Sequence, residues 1–248
     1  VRRQRQMCIR DSPITGQLFS IPSLDMGGYA DLRFILREGG SMGDLYSRTD
    51  LRRDANGAIY MDESNNVYTQ KIDNPDSYIK LGSVLPKGNL AWRNNFMWKN
   101  FHVGFMISAR LGGVVFSRTQ AILDKFGVSE ASADARDNGF VLINGNDRVN
   151  PENWYTTVGS TAVPQYYTYS ATNVRLQEAS IGYTIPRKWL ANVCDIKVSL
   201  IGRNLWMIYN KAPFDPEAVA STDNFYQGID NFMMPSLRNV GFSLNFKF

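Results

Sequence analysis

The 248-residue chain holds one histidine, His102, and two cysteines, Cys8 and Cys194. Few side chains suited to proton transfer, nucleophilic attack or soft-metal binding are therefore available. A Ser-His-Asp or Cys-His arrangement must use His102, and no spacing around it marks such a group. His102 reads as an acid–base or metal-ligating residue, or as a solvated histidine on the polar side of a strand. Cys8 lies in an arginine-rich start, which leaves Cys194, and one thiol builds neither an internal disulfide nor a multi-cysteine metal site. Asp215, Glu217 and Asp223, in "FDPEA" and "STDN", put three hard oxygen donors into one loop, as calcium requires. The Asp-x-Asp-x-Asp-Gly rhythm of a calcium loop is missing there. Gly39-Gly40 and Gly112-Gly113 are not followed by Lys-Ser/Thr, so they form no phosphate loop. No catalytic residue, cofactor or metal is assigned, and an enzyme is not the expectation.

Aromatic side chains offer a different chemistry. Trp154, Tyr155, Tyr166, Tyr167, Tyr169, Phe214, Phe225 and Tyr226 fall in two long loop regions. Rings in such places stack on sugars, dock a partner protein, or pack the loops into a compact cap. All three readings stand at this point, and Trp154, Tyr155, Tyr166, Tyr167, Phe214, Phe225 and Tyr226 are carried as substrate or partner contacts.

Charge narrows the partners. The net charge is +4, with an isoelectric point near 9.0. The opening "VRRQRQMCIRDS" contributes four arginines against Asp11. Without it 27 − 4 = 23 basic residues face 23 − 1 = 22 acidic ones, a net of +1. The electrostatic footprint of a nucleic-acid binder disappears with that segment. Residues 1–12 resemble translated adapter or vector sequence and are set aside, the alternative being a natural basic arm. No signal peptide is visible at the start, so either the protein is cytosolic or its true N-terminus lies upstream.

Mean hydropathy is −0.28, and no window approaches eighteen consecutive apolar residues, which excludes a transmembrane helix. Barrel strands are not excluded, because they alternate. Leu90, Trp92, Phe96 and Trp98 share one parity, with Asn94 the exception. After a turn at Lys99-Asn100, Phe101, Val103, Phe105, Ile107, Ala109 and Leu111 share another. Between these last fall His102, Gly104, Met106, Ser108 and Arg110. The pair reads as a hairpin of strands about ten residues long, enough to cross a bilayer when tilted. Its apolar set, Val103, Phe105 and Ile107 included, is expected to face outward. A stretch with loop character then runs from Val114 to about Ala171, with one short helix at Thr119–Phe126. Strands resume at Asn173–Thr184, where a parity change places a bulge near Gln177-Glu178. Ile196, Val198 and Leu200 follow, then a loop from Tyr209 to Pro235. The closing strand sets Val240, Phe242, Leu244, Phe246 and Phe248 against Asn239, Gly241, Ser243, Asn245 and Lys247.

Long strands with short connections at one end and long polar loops at the other are the asymmetry of outer-membrane barrels. Trp98, Phe101, Tyr183, Trp189, Trp206 and Phe248 sit at strand ends, where interfacial girdles lie. About five such strands cannot close a barrel, and an open edge is not tolerated in lipid, so the chain reads as the C-terminal piece of a larger one. The competing architecture is a soluble β-sandwich or jelly roll, and with it a secreted carbohydrate-binding module.

Several words of the sequence resemble one family in order. "NVRLQEASIGYTIPRKW", "IGRNLWMIYNKAPFDPEA" and "QGIDNFMMPSLRNVGFSLNFKF" are similar to the C-terminal segments of SusC/RagA-type TonB-linked outer-membrane proteins. "REGGSMGDLY", "LGSVLPKGNLAWRNNFMWKNFHVGFMISARLGG" and "DKFGVSEASADARDNG" fit the same family upstream, so the resemblance covers roughly Asp31 to Phe248. It implies an all-β fold, the C-terminal part of a large antiparallel barrel of about twenty-two strands with a plug. It implies import of glycans or peptides across the bacterial outer membrane, a SusD-like surface lipoprotein over the loops, and TonB energy through an N-terminal part outside this chain. It implies that Leu244, Phe246 and Phe248 act as the signal read by the barrel-assembly machinery. The partition expected is 1–12 non-native, 13–87 loop region with partial strands, and 88–248 barrel strands with two long extracellular loops.

Overall fold

The computed structural model describes residues 23–159, 163–189, 194–221 and 226–247. In chain order the strands begin with β1 (Ser23–Tyr29), β2 (Leu32–Arg37), β3 (Asp44–Ser47), β4 (Thr49–Leu51), β5 (Thr69–Lys71) and β6 (Ile79–Ser83). Next come β7 (Gly88–Trp98), β8 (Phe101–Leu111) and β9 (Val114–Ser117), followed by helices α1 (Arg118–Lys125) and α2 (Glu130–Asn138). A short hairpin of β10 (Val141–Ile143) and β11 (Asp147–Val149) leads into α3 (Pro151–Val158). The rest are β12 (Thr168–Ser170), β13 (Asn173–Ile185), β14 (Asp195–Asn210), β15 (Ile229–Asp230) and β16 (Asn239–Lys247). Residues 1–12, with Cys8, lie outside the described residues, as do Asp223, Phe225 and Phe248.

Alternation and tight turns set the largest sheet. Five strands join in the order β16-β14-β13-β8-β7, every neighbour antiparallel. This is the single sequential sheet expected from the alternation, with β7 and β16 at its edges. Trp98 pairs with Phe101 across the turn, and Lys99 takes φ 52°, the left-handed region that lets the chain reverse there. The bulge expected near Gln177-Glu178 is present: the register of β13 shifts between Leu176 and Glu178 against both neighbours. Phe242, at 78% exposure, has no second layer over it. That rules out the two-sheet sandwich, which would have buried this face.

Contacts group the chain into two units. The one holding the long sheet comprises Pro86–Gly112, Ser170–Ala218 and the chain from Met234 on. The other comprises the chain up to Leu85, Gly113–Tyr169 and Val219–Met233. In this second unit β1-β2-β3-β6 form one sheet, and β12-β9-β15 another in which β15 runs parallel to β9. Its core is that of a water-soluble domain: Leu32, Phe34, Leu45, Val67, Val84, Phe116, Ile143, Val149, Val158 and Val163 are all buried.

The stretch from Val114 to Ala171, expected to have loop character with one helix, is instead folded through three helices. Local chemistry explains each. Ser117 accepts a hydrogen bond from the Gln120 amide, and Ser129 does the same for Ser132, so both cap helix starts. Gly139 ends α2 in the left-handed conformation at φ 78°. Asn150 caps α3, with Pro151 at its first position. These signals are short and their apolar periodicity is weak, so polar composition masked them.

Candidate functional site

Side-chain parity, carried through the cross-strand register, separates the long sheet into two chemically opposite faces. One row across it reads Trp98, Phe101, Tyr183, Val198, Leu244, and the next Phe96, Val103, Ile181, Leu200, Phe242. A third reads Trp92, Ile107, Leu176, Trp206. This face stays open: Trp92, Phe96, Trp98, Val103, Leu200, Trp206 and Phe242 are all exposed. Of the residues expected outward, Val103 is exposed, while Phe105 and Ile107 are half-buried. Their neighbours on the same face account for it. The Phe105 ring lies 5.3 Å from that of Trp92, edge to face, and 6.2 Å from that of Phe96. Apolar side chains thus cover one another laterally while leaving the face to its solvent.

The opposite face is small and polar. Its rows read Met97, His102, Gly182, Ser199, Ser243 and Asn95, Gly104, Ser180, Ile201, Gly241. Gly104 leaves room for its cross-strand neighbours, since a Cβ there would come within 2.7 Å of Asn95 Oδ1 and 2.9 Å of Ser180 Oγ and would make those side chains turn away. Glu178 sits between Arg93 and Arg203 at 3.4 and 3.6 Å, a cross-strand charge ladder. His102 Nε2 shares a hydrogen bond of 2.9 Å with Thr184 Oγ1, a partner on the same polar face. Neither feature brings a nucleophile and a base together.

At the loop end of this face a buried ionic cluster gathers around Arg175. Asn173 and Arg175 leave β13 on the same side and are buried. The Arg175 guanidinium donates to Asp215 Oδ1 at 2.7 Å and pairs with Glu217 Oε2 at 3.2 Å. It also donates to Asn204 Oδ1 at 3.2 Å and Ser236 Oγ at 3.4 Å. The Ser236 hydroxyl in turn donates to Asp215 Oδ2. Asn204 occupies the β14 bulge at φ 52°, a left-handed conformation that asparagine tolerates, and its Nδ2 donates to the Leu237 carbonyl at 3.3 Å. Asn173 Nδ2 donates to Glu217 Oε1 at 3.2 Å. Burial pushes the Asp215 carboxyl up, but hydrogen bonds from Ser236, the Glu217 amide and Arg175 outweigh it, and the group is held below its ordinary value. Asp215 and Glu217, weighed above as calcium ligands, are therefore committed to an arginine.

This cluster was missed in the sequence, although every residue of it lies in a motif already quoted. Arg175 belongs to "NVRLQEA", Asn204 to "GRNL", Asp215 and Glu217 to "FDPEA", and Ser236 and Leu237 to "MPSL". The register of β13 against β14 brings the first two words together, and the loops after β14 and before β16 fold the other two onto them.

The loop aromatics divide. Trp154 and Tyr167 are buried in the core of their unit. Tyr167 donates to Asp124 Oδ2 at 3.0 Å, and its phenol is pushed well up by burial and that carboxylate. They serve the cap and present no ring to a ligand. Tyr155 is partly covered and donates to the Ala131 carbonyl at 3.0 Å. Phe214 is half-buried, and Tyr166 and Tyr226 are exposed, Tyr166 meeting Trp154 edge to face at 5.6 Å. Leu244 and Phe246 are exposed on the apolar face of β16.

No family model matches the chain. Over 207 residues it is 27% identical to TonB-dependent receptor P3 of Formosa agariphila, covering 79% of this chain and 19% of that receptor. Among solved structures, the RagAB peptide transporter superposes with a TM-score of 0.57 at 16% identity, covering 94% of this chain and 25% of that one. The RagAB peptide importer in its open-open state gives 0.53 at 14% identity, covering 96% and 24%. At these identities the structural likeness speaks for the fold, a portion of a large antiparallel β-barrel.

Proposed function

We propose, for a chain that is a SusC/RagA-type relative of the TonB-dependent receptors of the bacterial outer membrane, that its long sheet is part of the wall of an import barrel. The observation that carries this reading is the opposed chemistry of the sheet's faces. An apolar face left open across five strands matches hydrocarbon, and a face of Ser, Gly, Asn and paired charges matches a wet lumen. Glycans or peptides are the cargo class, TonB supplies the energy, and a SusD-like surface lipoprotein meets the loop end through exposed rings such as Tyr166 and Tyr226.

The test is uptake by cells carrying the complete protein. Deleting the gene should abolish accumulation of labelled oligosaccharides or oligopeptides, and so should removing TonB, while the lipoprotein co-purifies with the intact receptor. Unchanged uptake of both cargo classes in the deletion strain would end the proposal.

The edge strand β16 also supports a reading of Leu244, Phe246 and Phe248 as the signature taken up by the barrel-assembly machinery through strand addition. Phe248→Ala should lower the heat-modifiable folded band of the complete protein more than Phe242→Ala does. Equal loss in both variants would remove any special role for residue 248.

A further inference from the structure

Three segments of the chain meet around one cleft in the unit that holds the helices. The loop between β4 and β5 brings Ser64 and Asn65, and the end of α2 brings Arg136. The passage from β11 into α3 brings Arg148, Asn150 and Glu152. The cleft measures about 590 Å³, and every exposed side chain lining it is polar or charged. Its apolar members are covered. Val149 and Pro151 are buried, and Phe140 is half-buried, with the Arg148 guanidinium 4.3 Å from its ring centre.

The polar groups are set in place by the fold itself. Asp62 accepts from the amides of Ser64 at 2.9 Å and Asn66 at 2.8 Å, which fixes the loop that carries Asn65. Arg136 Nη1 donates to the Gly127 carbonyl at 2.5 Å. A Cβ at residue 127 would come within 2.5 Å of that nitrogen, so the guanidinium lies against bare backbone. Neither Arg136 nor Arg148 has an ion-pair partner among the described residues, and Glu152 on the same cleft pairs with neither. The start of α3 is capped by Asn150, whose Oδ1 accepts from the Glu152 amide at 2.9 Å. The positive charge on offer is therefore that of the two arginines, which exceeds the single carboxylate. A guanidinium fork matches the oxygens of a carboxylate or a sulfate ester.

The rest of the lining chooses between ligand classes. Peptides are recognised through a strand edge together with pockets for alternate side chains. No exposed apolar side chain lines this cleft, so it offers such pockets nothing. Amide, hydroxyl, carboxylate and guanidinium groups together suit a ligand rich in hydroxyls that also carries an acid.

We propose that this cleft binds an acidic oligosaccharide, with its carboxylate or sulfate ester held by Arg136 and Arg148 and its hydroxyls bonded by Asn65, Asn150 and Glu152. The proposal rests on the import reading and narrows its cargo to acidic glycans.

Titration calorimetry of the full-length protein in detergent tests it with four probes. These are tetragalacturonate, the same tetrasaccharide with its carboxyls reduced, a sulfated galactan tetrasaccharide, and tetraglutamate. Wild type should bind one of the two acidic saccharides about tenfold more tightly than the reduced one, and the tighter of the two identifies the acid group. That preference should shrink as salt is raised, while affinity for the reduced form stays constant. Arg136→Gln and Arg148→Gln should each weaken the acidic saccharide about fivefold, and the double variant should bind acidic and reduced forms alike. Equal affinity for acidic and reduced forms in wild type, or an acid preference that survives in the double variant, would overturn the site. Tetraglutamate bound as tightly as the acidic saccharides, and weakened by the same variants, would overturn the saccharide assignment in favour of an acidic peptide. Accumulation of the bound saccharide by cells, unaffected by loss of the gene or of TonB, would instead overturn the import reading and leave the site standing.

Discussion

Phe116 and Phe242 are both strand phenylalanines, yet the first has no exposed surface and the second is 78% exposed. Asn173 and Arg175 invert the same relation, since these polar residues are nearly inaccessible in the unit that leaves Phe242 open. One unit of the chain sorts its residues as water demands, with Leu32, Phe34, Leu45 and Phe116 inside. The other sorts them for a solvent of hydrocarbon, with rings outward, small polar residues on the opposite face, and its charged cluster buried. A single polypeptide therefore obeys one rule, burial of each group away from the solvent it dislikes, in two solvents. Hydropathy averaged along the chain hides this, because an average of residue types does not record which face each residue takes.

The comparison is broken most severely by attacking the water-type core. Phe116→Ala removes a fully buried ring from β9, the strand between β12 and β15, and should destabilise that unit by about 3–5 kcal/mol. The check is proteolysis or chemical unfolding of the complete protein, in which the cap should become labile while the heat-modifiable barrel band persists. Simultaneous loss of both would show that the two units do not keep separate cores.

A similar loss is expected from the polar cluster of the other unit. Asp215→Ala leaves the Arg175 charge buried without its closest carboxylate, a change that costs about 3–5 kcal/mol where no other group compensates. Glu217 remains within 3.2 Å of the guanidinium, so the lower end of that range applies. Arg175→Met combined with Asp215→Ala should recover part of the loss, because no orphan charge remains. Acid probes the same bond. Asp215 is held below its ordinary value of 3.8, so its contribution is complete above that pH and fades as pH falls through the lower folded value. Protease sensitivity of the 211–218 loop should accordingly rise only below about pH 4 in wild type, and be present at neutral pH in Asp215→Ala.

Much of the long sheet was legible before any coordinates. Period-two alternation names strand faces directly, and the Lys99-Asn100 turn and the Gln177 bulge follow from where parity reverses. The Arg175 cluster was not legible. Residues 173 and 204 are brought together by cross-strand register, a property of pairs of segments that no single segment displays, and 217 and 236 join them from loops that fold back onto those strands. The cap failed for another reason. Helices of eight or nine residues with few apolar positions carry their signal in caps such as Ser117, Ser129 and Asn150. A polar stretch with glycines and asparagines masks that signal unless the caps are sought one by one. Trp154 and Tyr167 show the same limit from the other side, because a ring in a loop looks identical whether it packs or binds.

Neighbouring positions on β16 sharpen the two-solvent comparison at smaller cost. Phe242 and Ser243 are adjacent, so their side chains leave opposite faces. Phe242→Arg places a cation on the hydrocarbon side and should cost about 2–4 kcal/mol near the bilayer midplane. Ser243→Arg places the same cation on the wet side and should fall within about 0.5 kcal/mol of wild type. Folding into vesicles followed by denaturant titration measures both. Equal penalties would mean that the faces do not meet different solvents.

The smallest effect is expected where a ring is neither core nor lipid anchor. Tyr226 is 47% exposed, in the unit where the loop rings Trp154 and Tyr167 are buried. Trp154→Ala opens a cavity and should cost about 3–5 kcal/mol. Tyr226→Ala removes surface already facing water and should stay within about 0.5 kcal/mol, the usual range for exposed positions. The two variants differ again in what they do to binding. If exposed loop rings meet the surface lipoprotein or cargo, Tyr226→Ala weakens that association by more than about 1 kcal/mol, roughly fivefold, with folding unchanged. Trp154→Ala weakens it only in proportion to the fraction of cap unfolded. Titrating labelled lipoprotein or cargo against both variants, alongside their unfolding curves, separates a binding ring from a packing ring. Unaltered affinity in Tyr226→Ala would remove that residue from the contact surface and leave Tyr166 as the exposed ring to test next.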